Sequence, residues 1–530
     1  MNILYSFIIL PVILSSTLCC ADEKLSSSSG ATGAETASTT APEPSPFALA
    51  DQVVINNQSI GINGKKITYD IRAGALTVHG KDEKDTANVS YIAYFAHQPA
   101  SKDHHPRPIA FCFNGGPGSS SVWLHMGFLG PKIVDLKGMS HPCLPVGYKD
   151  NPQTLLCSCD LVFIDPVSTG FSTAANKGNS KKFHGVEEDL FSIADFIRLF
   201  LTKYQRWESP KLLIGESYGT LRAVGLASLL QDHFFIDING LVLVSLVLDL
   251  QALDESPSLD IPCITILPTY ASIAHYHNQL KPPLLQISTP QVVEEAKKFA
   301  IEEYGPALLQ GSALSSERKE RIAQRLSEFT SLPASTIANL DLRVSDDRFC
   351  NDFLQAQNQM IGRYDGRITA YRVPDEPLAC KELMSCPDPS FYYISGAFTS
   401  AFQAYLSNDL HWQKGEPYVV ISNTVHPWNW TVDSQPQAGC GYLSFMQNFR
   451  IAMVKNPSLK VFVAGGYYDL VTPYFSQEYS LTHLILPPEL QKNIVLKGYE
   501  SGHMMYLDES SREALFKDLV EFVRSVEHPQ

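Results

Sequence analysis

Hydrophobic and polar residues follow two textures along this chain. In the first, from Lys66 to Phe95, they alternate. Lys66-Ile67-Thr68-Tyr69-Asp70-Ile71-Arg72, Ala75-Leu76-Thr77-Val78 and Tyr91-Ile92-Ala93-Tyr94-Phe95 each turn every second side chain the same way. A period of two predicts antiparallel strands at a sheet edge. In the second texture, short continuous apolar runs take over: Ile109–Phe113, Leu161–Ile164, Leu212–Ile214, Leu241–Leu246, Val461–Ala464 and Ile494–Leu496. Runs apolar on both faces suit central strands of a parallel sheet covered on both sides. Helical spacing separates them; Leu190, Ile193, Ile197, Phe200, Leu201 and Tyr204 fall on one face of a helix. Strand alternating with helix predicts an α/β, doubly wound, mostly parallel sheet with antiparallel N-terminal strands. Between about residues 255 and 385 the strand runs stop. There Val292–Tyr304 and Ser316–Phe329 are spaced as amphipathic helices, and the segment is read as a helical cap inserted into one domain spanning residues 47–530.

The chain opens differently. Ile3–Leu18 is almost wholly apolar and is followed by Cys19-Cys20-Ala21. This is the pattern of a signal peptide over residues 1–21, with cleavage after Ala21 and a secreted or periplasmic product; a lipid anchor on Cys19 or Cys20 is the alternative. Residues 22–46, rich in Ser, Thr, Ala and Pro, are expected to form a disordered linker. After the signal no apolar run is long enough to span a bilayer. The net charge of −14, without a block of Lys and Arg, argues against nucleic acid as a partner. Nine of the eleven cysteines follow Ala21, an odd number that leaves at least one thiol or an intermolecular bond. Cys380 and Cys386 are close enough for a small loop, but pairing does not follow from sequence. His275 and His277 supply two imidazoles with no third ligand nearby, so neither metal nor cofactor is expected. The oligomeric state is not legible.

The chemistry centres on Lys211-Leu-Leu-Ile-Gly-Glu-Ser217-Tyr-Gly219, a strand running into G-x-S-x-G and then a helical stretch, Leu221–Leu230. That context is a nucleophile elbow, in which two glycines leave room for a sharp turn presenting the serine hydroxyl above the sheet. A serine of ordinary acidity needs a base, and the base an orienting carboxylate. In the α/β-hydrolase fold these follow in the order Ser, Asp, His, each in a loop after a strand. Asp469 lies beyond the run Val461–Ala464 and His503 beyond Ile494–Leu496, so Ser217, Asp469 and His503 are the expected catalytic residues. An oxyanion requires two backbone N–H groups. One is expected from Tyr218 and the other from the loop Phe113-Asn114-Gly115-Gly116-Pro117-Gly118.

These segments resemble the serine carboxypeptidase family, in particular its bacterial members. Asn114-Gly-Gly-Pro-Gly-Ser-Ser120 is similar to that family's glycine loop, Gly215-Glu-Ser-Tyr-Gly219 to its elbow, Pro166-Val-Ser-Thr-Gly-Phe-Ser172 to its P-x-G-T-G-F-S loop and Gly502-His503-Met504 to its histidine segment. The likeness runs from about residue 105 to 510. It implies removal of single residues from peptide C-termini, with Gly116 and Tyr218 as oxyanion donors and Asn114 and Glu216 binding the substrate's terminal carboxylate. The departures are specific. Phe128 stands where many eukaryotic members carry a second glutamate, Ser119 where they carry a cysteine and Ser168 where a glycine is usual. Tyr467 stands where an aspartate is common, and Met505-Tyr506 replaces V-P. Without the second glutamate, an esterase or acyltransferase using the same residues stays open, as does a secreted binding protein.

Overall fold

The computed structural model describes residues 51–527 except 63, 98–105, 137–144, 255, 257, 373–387, 413–414 and 433–442. The expected signal and linker, and Cys143, Cys380, Cys386 and Cys440, lie outside the described residues. Cys112, Cys157, Cys159 and Cys350 carry free thiols.

One sheet is built from β1 (Val53–Ile62), β2 (Lys65–His79), β3 (Thr86–Ala96), β4 (Ile109–Phe113), β5 (Asp160–Ile164), β6 (Lys211–Glu216), β7 (Gly240–Val244), β8 (Lys460–Gly466) and β9 (Ile494–Tyr499). Its spatial order is β1-β2-β3-β5-β4-β6-β7-β8-β9, with the two-residue strand Thr173–Ala174 added alongside β3. Pairing is antiparallel from β1 to β5 and parallel from β5 to β9. The crossings between parallel strands carry helices, among them α1 (Val186–Lys203) and α2 (Tyr218–His233).

The apolar runs serve two cores at once, because successive side chains of a strand point to opposite faces. Phe111, Phe113, Leu213, Leu241, Leu243, Val461 and Val463 join α1 and α2 on one face. Ala110, Cys112, Leu212, Ile214, Val242, Val244, Phe462 and Ala464 turn the other way, onto α6 (Pro389–Asn408) and α7 (Glu509–Glu527). Three expectations are corrected. The segments 66–72 and 75–78 form one strand, because β2 keeps its register with β3 through Ala73-Gly74. The run Leu241–Leu246 stops pairing at Val244, since Ser245 turns to φ 56°. The last run is an edge strand, and Val495 is 42% exposed there instead of covered on both faces.

Between β7 and β8 stand α3 (Ile261–Tyr276), α4 (Thr289–Phe299) and α5 (Ser316–Thr330), packed around a separate core, with a short hairpin, Gln359–Ile361 and Thr369–Tyr371. Tyr468, Leu470 and Phe475, from the chain following β8, are part of that core. The helical region thereby clamps the loop that carries Asp469. Among the described residues no helix is long and apolar enough to cross a membrane.

Candidate active site

Ser217 links the end of β6 to the start of α2 at φ 58°, ψ −130°. A non-glycine residue held there costs about 1–3 kcal/mol. The neighbouring ladder holds it: the Ser217 N–H donates to the Val244 carbonyl at 2.9 Å, and the Thr220 N–H donates to the Ser217 carbonyl at 2.8 Å. Gly215 is required by contact, because a Cβ there would lie 2.1 Å from the Gly219 carbonyl oxygen. The turn leaves Ser217 partly exposed beside the buried Glu216 and Tyr218.

Asp469 follows β8 and is fully buried. Its Oδ1 accepts the N–H groups of Val471 and Thr472 at 2.9 and 3.0 Å, and its Oδ2 accepts the Thr472 hydroxyl at 2.6 Å. The same Oδ2 lies 2.8 Å from Nδ1 of His503. His503, in the loop after β9, is held at three further points. Its N–H donates to the Tyr364 carbonyl at 2.6 Å, its own carbonyl accepts the Ser245 hydroxyl at 2.6 Å, and the Tyr364 ring stands edge-on to the imidazole at 5.3 Å. Burial pulls the imidazole toward neutrality, but the charge and hydrogen bond of Asp469, with the charge of Glu216, lift its pKa above the ordinary value. An imidazole made more basic in this way is suited to take a hydroxyl proton.

The glycine loop lies directly on the elbow, since a Cβ on Gly115 would meet the Tyr218 nitrogen at 2.5 Å. Gly116, at φ 102°, and Ser217 line the same cavity. The loop is tied from below by Arg222 of α2, which donates to the Asn114 carbonyl and pairs through Nε with Asp189 at 2.6 Å. Both partners of this ion pair are buried, with side chains 1% and 2% exposed. Removing one member of a buried pair strands the other charge. Arg222→Met is therefore expected to lower the unfolding free energy by about 3–5 kcal/mol, read from urea denaturation.

Ser217, His503, Asn114 and Glu216 border one cavity of about 350 Å³ whose remaining wall is largely apolar: Trp123, Tyr364, Phe391, Ile394, Ile421 and Met504. Glu216 is 4% exposed. Burial drives its pKa up to about 7, against the smaller opposing effects of His503, Tyr506 and Asn114. Asn114 accepts the Leu124 N–H on Oδ1 at 3.1 Å, and its side chain also favours the ionised form of Glu216. The cavity thus joins a hydroxyl, an imidazole backed by a carboxylate and a buried acid that is half neutral near pH 7.

Of the seven residues singled out in the sequence, Asn114, Gly116, Glu216, Ser217 and His503 line the cavity, Asp469 joins it through His503, and the Tyr218 nitrogen lies beside Gly115 while the Tyr218 ring packs edge-on against Trp428 and Trp430. The departures also take physical form. Ser119 accepts the Trp123 indole N–H at 2.7 Å, Ser168 adopts φ 73° in place of a glycine, and Phe128 stacks on Tyr506. His277 Nε2 lies 2.8 Å from the Gly366 carbonyl, and among the described residues no group of three acidic, His or Cys side chains could hold a metal. Sequence reasoning missed Thr472, Ser245, Tyr364 and the part played by Tyr506. Thr472 had a local signal, a threonine three residues after an aspartate, as in side-chain turns; Tyr364 had none, being far from His503 in sequence.

Residues 73–244 match the family model of the serine carboxypeptidases. The pheromone-processing carboxypeptidase KEX1 of Saccharomyces cerevisiae is 30% identical over 175 residues, which are 31% of this chain and 22% of the relative. The chain thus spans about a fifth of the length of the curated relatives it matches. The crystal structure of Kex1(delta)p, a prohormone-processing carboxypeptidase from Saccharomyces cerevisiae, superposes with a TM-score of 0.53 at 16% identity, covering 86% of this chain and 91% of that one. The fold is that of the α/β-hydrolases.

Proposed function

We propose, from the match of residues 73–244 to the serine carboxypeptidase family model, that this chain is an exported exopeptidase that releases C-terminal residues from peptides through an acyl-enzyme on Ser217. His503 takes the Ser217 proton as Oγ attacks the last peptide carbonyl, and Asp469 holds the imidazole with Nδ1 protonated. The N–H groups of Gly116 and Tyr218 receive the oxyanion. His503 then returns the proton to the leaving amino group, and water, deprotonated by the same imidazole, frees the acyl group. No metal or cofactor takes part. Export is supported by the apolar run Ile3–Leu18.

The observation that carries this reading is Glu216: an acid buried beside the nucleophile and Asn114, in a cavity whose wall is largely apolar. Neutral, it donates a hydrogen bond to a substrate carboxylate; ionised, it repels one. Because its pKa is raised to about 7, the donating form persists up to neutrality and is lost as pH rises through that value. The opposing limb belongs to His503, which must be neutral to act. A blocked dipeptide is therefore expected to show kcat/KM falling above pH 7, whereas its C-terminal amide does not fall. In Glu216→Gln, whose amide donates at every pH, the difference flattens. Identical profiles for acid and amide in the wild type would put the esterase reading ahead. The walls of Trp123, Tyr364, Phe391 and Ile421 favour substrates with large apolar side chains near the scissile bond.

A further inference from the structure

The place of the missing second carboxyl is filled by two rings. Phe128 and Tyr506 stack with parallel, offset rings, centroids 5.8 Å apart and planes 2° apart, both buried. Gly127 makes room for the pair, since a Cβ on it would meet Cε2 of Tyr506 at 2.5 Å. The Tyr506 carbonyl is held by Arg512 Nη1 at 3.2 Å, so the ring is fixed by both stacking and backbone. Its hydroxyl donates to Oε2 of Glu216 at 2.6 Å.

We infer that Tyr506 is a positioning residue of the carboxylate pocket: by occupying Oε2 of Glu216 as a permanent donor, it leaves Oε1 to carry the acidic proton and offer it to a substrate C-terminus, with Phe128 holding the phenol in place. This deepens the carboxypeptidase reading and rests on it. The bond can be permanent because burial, then the charge of Glu216, keeps the phenol from ionising anywhere near neutral pH. A carboxyl with one oxygen taken by a donor protonates on the other. Two carboxylates would share a proton and titrate as a pair; a phenol and a carboxyl leave a single titrating acid. The groups facing Glu216 are Tyr506 and Asn114, with the charges of His503 and Asp469 beyond them, and the Tyr364 phenol also senses it.

Two effects are expected of Tyr506→Phe. The hydrogen bond from Tyr506 favours ionised Glu216, so its loss raises the Glu216 pKa further and moves the alkaline limb of the free-acid profile to higher pH. Glu216 also loses its fixed orientation. KM for the free-acid dipeptide should then rise about tenfold, as expected for losing a hydrogen bond to a charged or acidic partner, while KM for the amide changes by less than about threefold. The experiment measures kcat and KM for acid and amide from about pH 5 to about pH 9 in wild type, Tyr506→Phe and Phe128→Leu. Phe128→Leu keeps the phenol but removes its stacking face, and should shift the limb the same way by less. It carries the test by itself if Tyr506→Phe does not fold. If acid and amide change equally with no shift of the limb, the inference falls and the carboxypeptidase reading stands. If wild type makes no distinction between acid and amide, it is the carboxypeptidase reading that falls.

Discussion

Ser217→Ala is expected to lower kcat/KM on the order of a million-fold, the scale seen when a serine nucleophile is removed from a base-assisted site. The size follows from geometry. The hydroxyl is the group at the elbow that can form the covalent intermediate, while the glycine loop, Glu216 and the apolar wall that would hold a peptide remain. KM should thus change little and kcat collapse. The fold should persist, because the φ of 58° is imposed by the bond of the Ser217 N–H to Val244 and by the packing of Gly215 on Gly219, none of which involves the hydroxyl. An organophosphonate probe gives the direct check. Labelling should be confined to Ser217 in the wild type and absent from Ser217→Ala; stable labelling of the variant would reject the nucleophile.

Asp469→Asn is expected to cost about ten-thousand-fold in kcat. Here the surrounding bonds dictate the outcome. The N–H groups of Val471 and Thr472 both point at Oδ1, so the asparagine must keep its carbonyl oxygen there. Its NH2 then takes the place of Oδ2, facing Nδ1 of His503 at 2.8 Å. Two N–H groups cannot face each other, so Nδ1 becomes the acceptor and the proton moves to Nε2. The nitrogen needed to take the Ser217 proton is then already protonated. Burial then pulls the His503 pKa down against the charge of Glu216 without the larger lift from Asp469. The remaining activity should accordingly have its acid limb at lower pH than the wild type. Thermal denaturation should show a folded protein, and near-wild-type turnover would reject Asp469 as the orienting group.

The strand runs were legible because burial on both faces demands apolar residues without interruption. Ile109–Phe113 is a strand over that whole range, and Leu161–Ile164, Leu212–Ile214 and Val461–Ala464 fall inside strands only slightly longer. Ile494–Leu496 shows the limit of the same logic: the sequence pattern of a covered strand lies at the open edge, where Val495 meets water. β1 was missed for the opposite reason. Its stretch Asn56-Asn57-Gln58-Ser59 is polar and exposed, and Asn56-Asn57 break the register, yet β2 pairs with the strand on both sides of them through the backbone, which carries no side-chain signature.

The same division runs through the candidate site. The elbow, the glycine loop and the two loops after strands are local constraints, each needing particular residues within a few positions. The order of Ser217, Asp469 and His503 along the chain was therefore readable before any contact was known. What supports them is not local. Tyr364 braces His503 from across the fold, Ser245 reaches it from the end of β7, and Arg222 ties α2 to the Asn114 carbonyl. Phe128 could be read in sequence only as an absence, the loss of a carboxyl. Tertiary packing decided what replaced it, because only the approach of the His503 loop to residues 127–128 brings the Tyr506 ring onto Phe128 and its hydroxyl onto Glu216. Residue type and spacing determined which groups this chain has for catalysis; their proton positions depend on burial and on partners distant in sequence, which exist only once the chain has folded.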